Sequence, residues 1–109
     1  MAGGLERGEV RLYRFPPPDK QRPVVVLTPQ AALDYLSKVT VAPVTSSIRS
    51  VPSQVGLDIE DGMKGPCAVN LHTLVTVHKA RLGRRVARLS NRRMDEVCRA
   101  LGFALECGS

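Results

Sequence analysis

Residues 20–28, Lys-Gln-Arg-Pro-Val-Val-Val-Leu-Thr, constrain the fold more than any other stretch. Four consecutive apolar residues, Val24, Val25, Val26 and Leu27, follow a basic approach. A run this short, apolar and β-branched fits a strand buried on both faces at the centre of a small sheet. Pro23 has no N–H for a ladder, so its expected place is the strand's first residue. Arg22 then stands where the buried strand meets a loop. A guanidinium held there on rigid backbone could grip a planar anion such as phosphate. The plainer alternative is a surface arginine paired with a nearby carboxylate.

The 109 residues suit one domain, 1–109, with one modest core and a loose tail at 1–7. Net charge is +6, which favours a polyanionic partner. From Gly62 to Met94 there is no acidic residue. Lys64, Lys79, Arg81, Arg84, Arg85, Arg88, Arg92 and Arg93 all fall in that span. A nucleic-acid surface and an ordinary solvated basic face both fit this run. The four aromatics, Tyr13, Phe15, Tyr35 and Phe103, lie outside it, which argues against a broad base-stacking platform. Three cysteines, Cys67, Cys98 and Cys107, form no CxxC pair and fit a reducing compartment. Cys67, His72 and His78 match no zinc spacing, so no metal or cofactor is expected. No apolar run is long enough for a bilayer and residues 1–7 lack a signal core. The expected setting is the cytoplasm, away from membranes.

Val10 and Leu12 alternate with charged residues, so residues 9–15 read as a strand wet on one face. Pro16, Pro17 and Pro18 stop it, and the buried strand follows as its antiparallel partner. Thr28-Pro29 reads as a helix start, with Thr28 capping a short helix over residues 30–37. Residues 39–45 form a second apolar strand, where Pro43 implies an edge, a bulge or an end. Thr45, Ser46 and Ser47 then offer three hydroxyls, for which turn chemistry is the plain reading. Further strands are expected at Gln54–Leu57, 67–71, 73–77 and 86–89, with a tight or helical turn over 79–83. Ser90 caps a final helix whose Met94, Val97, Cys98 and Leu101 share one face, and Gly102 is its expected stop. The order predicts a mainly β (α+β) chain, a strongly bent small barrel with helical cover.

Arg7-Gly8-Glu9-Val10, Gln21-Arg22-Pro23-Val24-Val25-Val26-Leu27 and Val41-Ala42-Pro43-Val44-Thr45-Ser46 are the first three of a set of ordered blocks. Thr76-Val77-His78-Lys79-Ala80-Arg81-Leu82-Gly83, then Leu89-Ser90 and the terminal amphipathic helix, complete the set. In this order and spacing, from Arg7 to Leu105, the chain resembles the MazF/PemK family of toxin endoribonucleases. The resemblance implies an SH3-like barrel of the MazF/PemK/CcdB type, a homodimer, and sequence-selective cleavage of single-stranded RNA. The RNA is typically mRNA, in some members tRNA or rRNA. It also implies a cognate antitoxin, acidic and partly disordered, that blocks the RNA groove, with DNA reached only through the antitoxin complex. Neither metal nor cofactor takes part.

By the same resemblance the catalytic residues map to Arg22 and Thr45. Candidate RNA contacts are Lys20, Gln21, Ser46, Ser47, Arg49, Asn70 and Arg81. Such cleavage uses the ribose 2′-hydroxyl as nucleophile and leaves a 2′,3′-cyclic phosphate and a 5′-hydroxyl. The protein must hold the phosphate in line, stabilise added negative charge and move two protons. Arg22 can stabilise the dianion bidentately and Thr45 can donate to a non-bridging oxygen. Arginine stays protonated, so a proton carrier is wanted. His72 falls where some relatives place an Asp of the site, and histidine titrates near neutrality. The loop over residues 15–21 is short and proline-rich where many relatives carry a longer Gly-rich one, so the recognised sequence does not transfer. Two other functions share this fold: a toxin that binds a protein target such as gyrase, and a plain RNA-binding barrel.

Overall fold

The computed structural model describes residues 4–105. Chain order is β1 (Glu9–Arg14), β2 (Gln21–Val26), α1 (Gln30–Leu33), β3 (Lys38–Thr45), β4 (Gln54–Leu57), β5 (Cys67–Asn70), β6 (Val75–His78), β7 (Arg85–Arg88) and α2 (Asn91–Leu105). Single helical turns lie at Ile59–Asp61 and Lys79–Arg81, the second where a tight or helical turn is expected. The strands form one curled half-barrel sheet in the order β4-β5-β3-β2-β1-β7, with β6 also pairing β3. Every pairing is antiparallel, β1 with β2 among them.

The 24–27 run is buried on both faces, and alternate residues serve two clusters. Val25 and Leu27 join Val10, Ala42, Val44, Val55 and Leu57 under α2, which contributes Met94, Val97 and Ala100. Val24 and Val26 join Val39, Val41 and Val77 under Leu33 of α1. Fully burying one such side chain stabilises by about 1.5–3 kcal/mol. The central strand therefore ties two small cores together.

Several local expectations give way. β2 starts at Gln21, so Pro23 is its third residue, opposite Leu12 of β1. Pairing with β3 begins only at Val24, and a residue without an N–H is tolerated where one side of the strand is open. Pro43 lies inside β3, between the end of the β6 ladder at Val41 and the start of the β5 ladder at Val44. Thr28 does not cap α1; its Oγ1 accepts from the Thr40 amide at 2.8 Å, joining the end of β2 to β3. The helix spans Gln30–Leu33 rather than 30–37, and Lys79 Nζ donates to the Leu33 carbonyl at its end.

Ser90 Oγ accepts from the Arg93 amide at 3.2 Å, as a cap should. Gly102 does not stop α2, which runs to Leu105. Interior glycine costs a helix only about 1 kcal/mol, and continuation lets Ala104 pack on the core. Cys98 is exposed rather than buried; Ala100 takes the inward position. Glu9, read as part of the wet face of β1, is only 2% exposed. Arg11 donates to its Oε1 at 2.9 and 3.0 Å, and Arg85 to its Oε2 at 3.3 Å. Residues 1–3 of the expected tail and Cys107 lie outside the described residues. Leu5 packs against the second cluster, and Arg7 Nε donates to the Leu27 carbonyl at 3.0 Å.

Candidate active site

The β2–β3 ladder pairs Val26 with Val41, Val25 with Ala42 and Val24 with Pro43, and ends there. Carried two residues further, the same register sets Arg22 opposite Thr45. By the twofold alternation of strands, Arg22 follows Val24 and Thr45 follows Pro43 on one face of the sheet. The two strands border a cavity of about 320 Å³ lined by Arg22, Thr45, Pro43, Asn70, Thr73, Val75, Phe15 and Asp19.

Arg22 is 36% exposed and its guanidinium is 3.7 Å from Asp19 Oδ1. The nearby carboxylate of the plainer reading therefore exists. A half-exposed pair at that distance contributes at most about 1 kcal/mol, so it orients the guanidinium without locking it against another anion. Thr45 Oγ1 accepts from the Ser47 amide at 3.0 Å. With a lone pair engaged, its O–H remains available as a donor. The three-hydroxyl cluster thus shows turn chemistry that also orients Thr45.

Sequence reasoning missed Phe15, Thr73 and Val75. Tyr13 and Phe15 pack edge to face, with centroids 4.9 Å apart and planes at 81°. Tyr13 stands opposite Arg22 in the β1–β2 register. Twofold spacing of the two aromatics, laid against that register, was the available signal. An aromatic on the cavity wall can stack a base.

Of the other predicted residues only Asn70 joins the cavity lining, and Arg81 follows His78, which pairs with Lys38 at the opposite end of β3 from Thr45. Gln21 opens β2 opposite Arg14, and Lys20 precedes it, both exposed. Ser46, Ser47 and Arg49 lie exposed in the loop after β3, and Arg81 is exposed on the Lys79–Arg81 turn. His72 is exposed between β5 and β6, beside the lining residue Thr73 but outside the lining itself. Its Nδ1 is 2.6 Å from Oγ of the buried Ser53. His78 ends β6, opposite Lys38.

The basic run is partly structural. Arg85 pairs with Glu9 and Arg88 with Glu6, each at 3.3 Å. Arg93 holds Asp61 and Glu96, each at 2.9 Å. Lys64, Arg81, Arg84 and Arg92 have no ion pair among the described residues. Burial pushes the Asp61 carboxyl up, but the Arg93 hydrogen bond, the Asp58 amide and the Arg93 and Arg92 charges together hold it below its usual value. Burial, then the charges of Asp61 and Asp58, push the Cys67 thiol up, which leaves it a poor nucleophile. No three His, Cys, Asp or Glu side chains gather as metal ligands among the described residues. No helix there is long and apolar enough to cross a membrane.

Residues 6–105 match the family described as PemK-like, MazF-like toxin of type II toxin–antitoxin system, and the chain belongs to that family. It is similar to a Mycobacterium tuberculosis protein named "Probable endoribonuclease MazF5", at 41% identity over 88 residues, 80% of this chain and 81% of that one. Among solved structures, Mycobacterium tuberculosis toxin MazF-mt6 matches with a TM-score of 0.84 and 28% identity, over 93% of this chain and 99% of that one. A mycobacterial endoribonuclease in complex with its cognate antitoxin shares the fold, with a TM-score of 0.83 and 22% identity over 94% and 95% of the two chains.

Proposed function

We propose that this chain is the toxin of a type II toxin–antitoxin pair, an endoribonuclease that cuts single-stranded RNA in the cytoplasm by a metal-independent route. The observation that carries this is the placement of Arg22 and Thr45 on one cavity wall, in a chain of this family. The ribose 2′-hydroxyl attacks the adjacent phosphorus. The bond to the 5′-oxygen of the next nucleotide breaks, leaving a 2′,3′-cyclic phosphate and a 5′-hydroxyl. Arg22 supplies the bidentate charge that the dianionic phosphorane needs. Thr45 donates a hydrogen bond from its hydroxyl to a non-bridging oxygen while the Ser47 amide fixes that hydroxyl's orientation.

Two protons must move. His72 is the proposed carrier: its Nδ1 lies against Ser53 Oγ, which leaves Nε2 for substrate. Lys20, Gln21, Ser46, Ser47 and Arg49, exposed in the segments next to Arg22 and Thr45, extend the RNA path, Arg81 meets the RNA farther along, and Phe15 stacks a base. Two copies of the chain build the full groove. An acidic, partly disordered antitoxin fills that groove by folding on it, and the toxin meets DNA only within that complex.

The test is incubation with a long transcript in excess EDTA, followed by analysis of the new ends. Cyclic phosphate and 5′-hydroxyl ends, with a DNA of the same sequence left intact, are expected. Cleavage abolished by EDTA and restored by magnesium contradicts the route.

A further inference from the structure

Asn70 ends β5 on the wall of the Arg22–Thr45 cavity. Its Oδ1 is buried and accepts no hydrogen bond among the described residues. No other buried side-chain nitrogen or oxygen among those residues lacks a partner. Native folds satisfy such atoms almost always, and an exception asks for a reason.

The neighbouring polar groups do not bond to it. Gln54, directly opposite Asn70 in the β4–β5 pair, accepts the Arg49 amide on Oε1 at 2.8 Å. Its Nε2 donates to the Ser47 carbonyl at 3.3 Å. Thr45 Oγ1 accepts from the Ser47 amide and keeps its own proton, which is not given to Asn70. The rest of the wall holds two further donors, the Thr73 hydroxyl and the Arg22 guanidinium, and neither bonds to Asn70 Oδ1. Asn70 therefore carries an acceptor that the folded chain leaves unmatched, beside the two residues assigned to the phosphate. The terminal torsion of asparagine is broad and roughly two-fold, so a modest turn brings Oδ1 to the cavity.

We propose that Asn70 is a specificity-determining residue that accepts a hydrogen bond from an N–H or O–H of the nucleotide seated in the cavity. This rests on the cavity being the RNA site. RNA offers that donor from two sources, a base N–H or amino group and a ribose 2′-hydroxyl other than the nucleophile at the cut site. A site with a buried acceptor rejects an analogue lacking the donor, because the acceptor is then left unpaired in the complex.

The experiment takes an oligonucleotide spanning a mapped cut site, made non-cleavable by 2′-deoxy substitution at that site alone. Donors are deleted one at a time: inosine or 1-methylguanosine for guanosine, purine riboside for adenosine, 2-pyrimidinone riboside for cytidine, 3-methyluridine for uridine, and 2′-O-methyl on each other ribose. Binding is measured for wild type and for Asn70→Leu, which keeps the bulk and removes the acceptor. One deletion is expected to weaken wild-type binding by about tenfold and to leave Asn70→Leu unaffected, as a double-mutant cycle requires. If the sensitive group is on a base, 5′-end sequencing of transcripts cut by Asn70→Leu shows relaxed choice at that nucleotide. If it is a 2′-hydroxyl, the variant cuts the same sites more weakly. Deletions that affect both proteins alike, or neither, overturn the proposal. The substrate series on wild type alone stays decisive if the variant fails to fold: no sensitive donor within the oligonucleotide refutes it. Wild type that binds no RNA contradicts the ribonuclease reading itself, a separate failure.

Discussion

Arg22 and Thr45 stand two residues beyond the last β2–β3 ladder pair, Val24 with Pro43, and line the same cavity from adjacent strands. The ladder holds their backbones in register, and both side chains border the cavity. Each of the two strands carries a proline near this end, Pro23 and Pro43, and so presents one amide fewer there.

Thr45 acts through its hydroxyl proton. Thr45→Ala leaves room for a water to donate in its place, whereas Thr45→Val fills that room with a methyl group. Cleavage is expected to fall in both variants and further in valine, measured as single-turnover rates on one RNA. Wild-type rates in both variants remove Thr45 from the site.

Asp61 anchors the acidic loop to α2 through Arg93. Its carboxyl titrates below the ordinary value of 3.8 in the folded state. The stabilisation is therefore fully present above that ordinary value and is lost as pH falls through the folded one. Asp61→Asn should cost about 1–3 kcal/mol at neutral pH, the range for a charged hydrogen bond and its stranded partner. Denaturant melts at pH 7 and pH 3 check this; the gap between wild type and variant narrows at the lower pH. An equal gap at both would assign the effect to packing.

His72→Gln tests the proton carrier. The variant is expected to cut more slowly and to show a flatter pH–rate profile near neutrality, with RNA affinity little changed. Weaker binding with an unchanged profile would make His72 a base or phosphate contact. An unchanged rate at every pH returns the proton problem to Arg22.

The dimer and the antitoxin are tested together. Light scattering at micromolar concentration should give twice the chain mass. Affinity for an acidic antitoxin segment should fall as salt rises, because exposed charges are screened. A monomer at all concentrations contradicts the shared groove.

Much of the architecture was legible because it depends on local pattern. The β-branched run at residues 24–27 announced its double burial, and Ser90 announced the start of α2. The errors arose where a neighbour in space overruled local preference. Thr28 reads as a cap until β3 presents the Thr40 amide to it. Cys98 fits the helical period, yet the core takes Ala100 instead. Gly102 reads as a stop, but packing of Ala104 outweighs its cost. In the site, Arg22 and Thr45 were reached through family blocks and Asn70 was named among the RNA contacts. Phe15 and Thr73 were not, since their place depends on the connection after β1 and on the turn between β5 and β6, the two strands that pair with β3. The basic run overstated the free cationic surface, because Arg85, Arg88 and Arg93 are tied to carboxylates.

The most direct test is single-turnover cleavage by Arg22→Ala and Arg22→Lys, with folding verified by circular dichroism and thermal melting. Arg22 forms only a loose, half-exposed pair with Asp19, so its loss should hardly change stability. Removing one electrostatic donor to a transition state costs on the order of 10²–10³ in rate, and lysine, which lacks the planar fork, should restore only part of it. A folded Arg22→Ala protein that cuts RNA at the wild-type rate would contradict the assignment of this cavity as the active site.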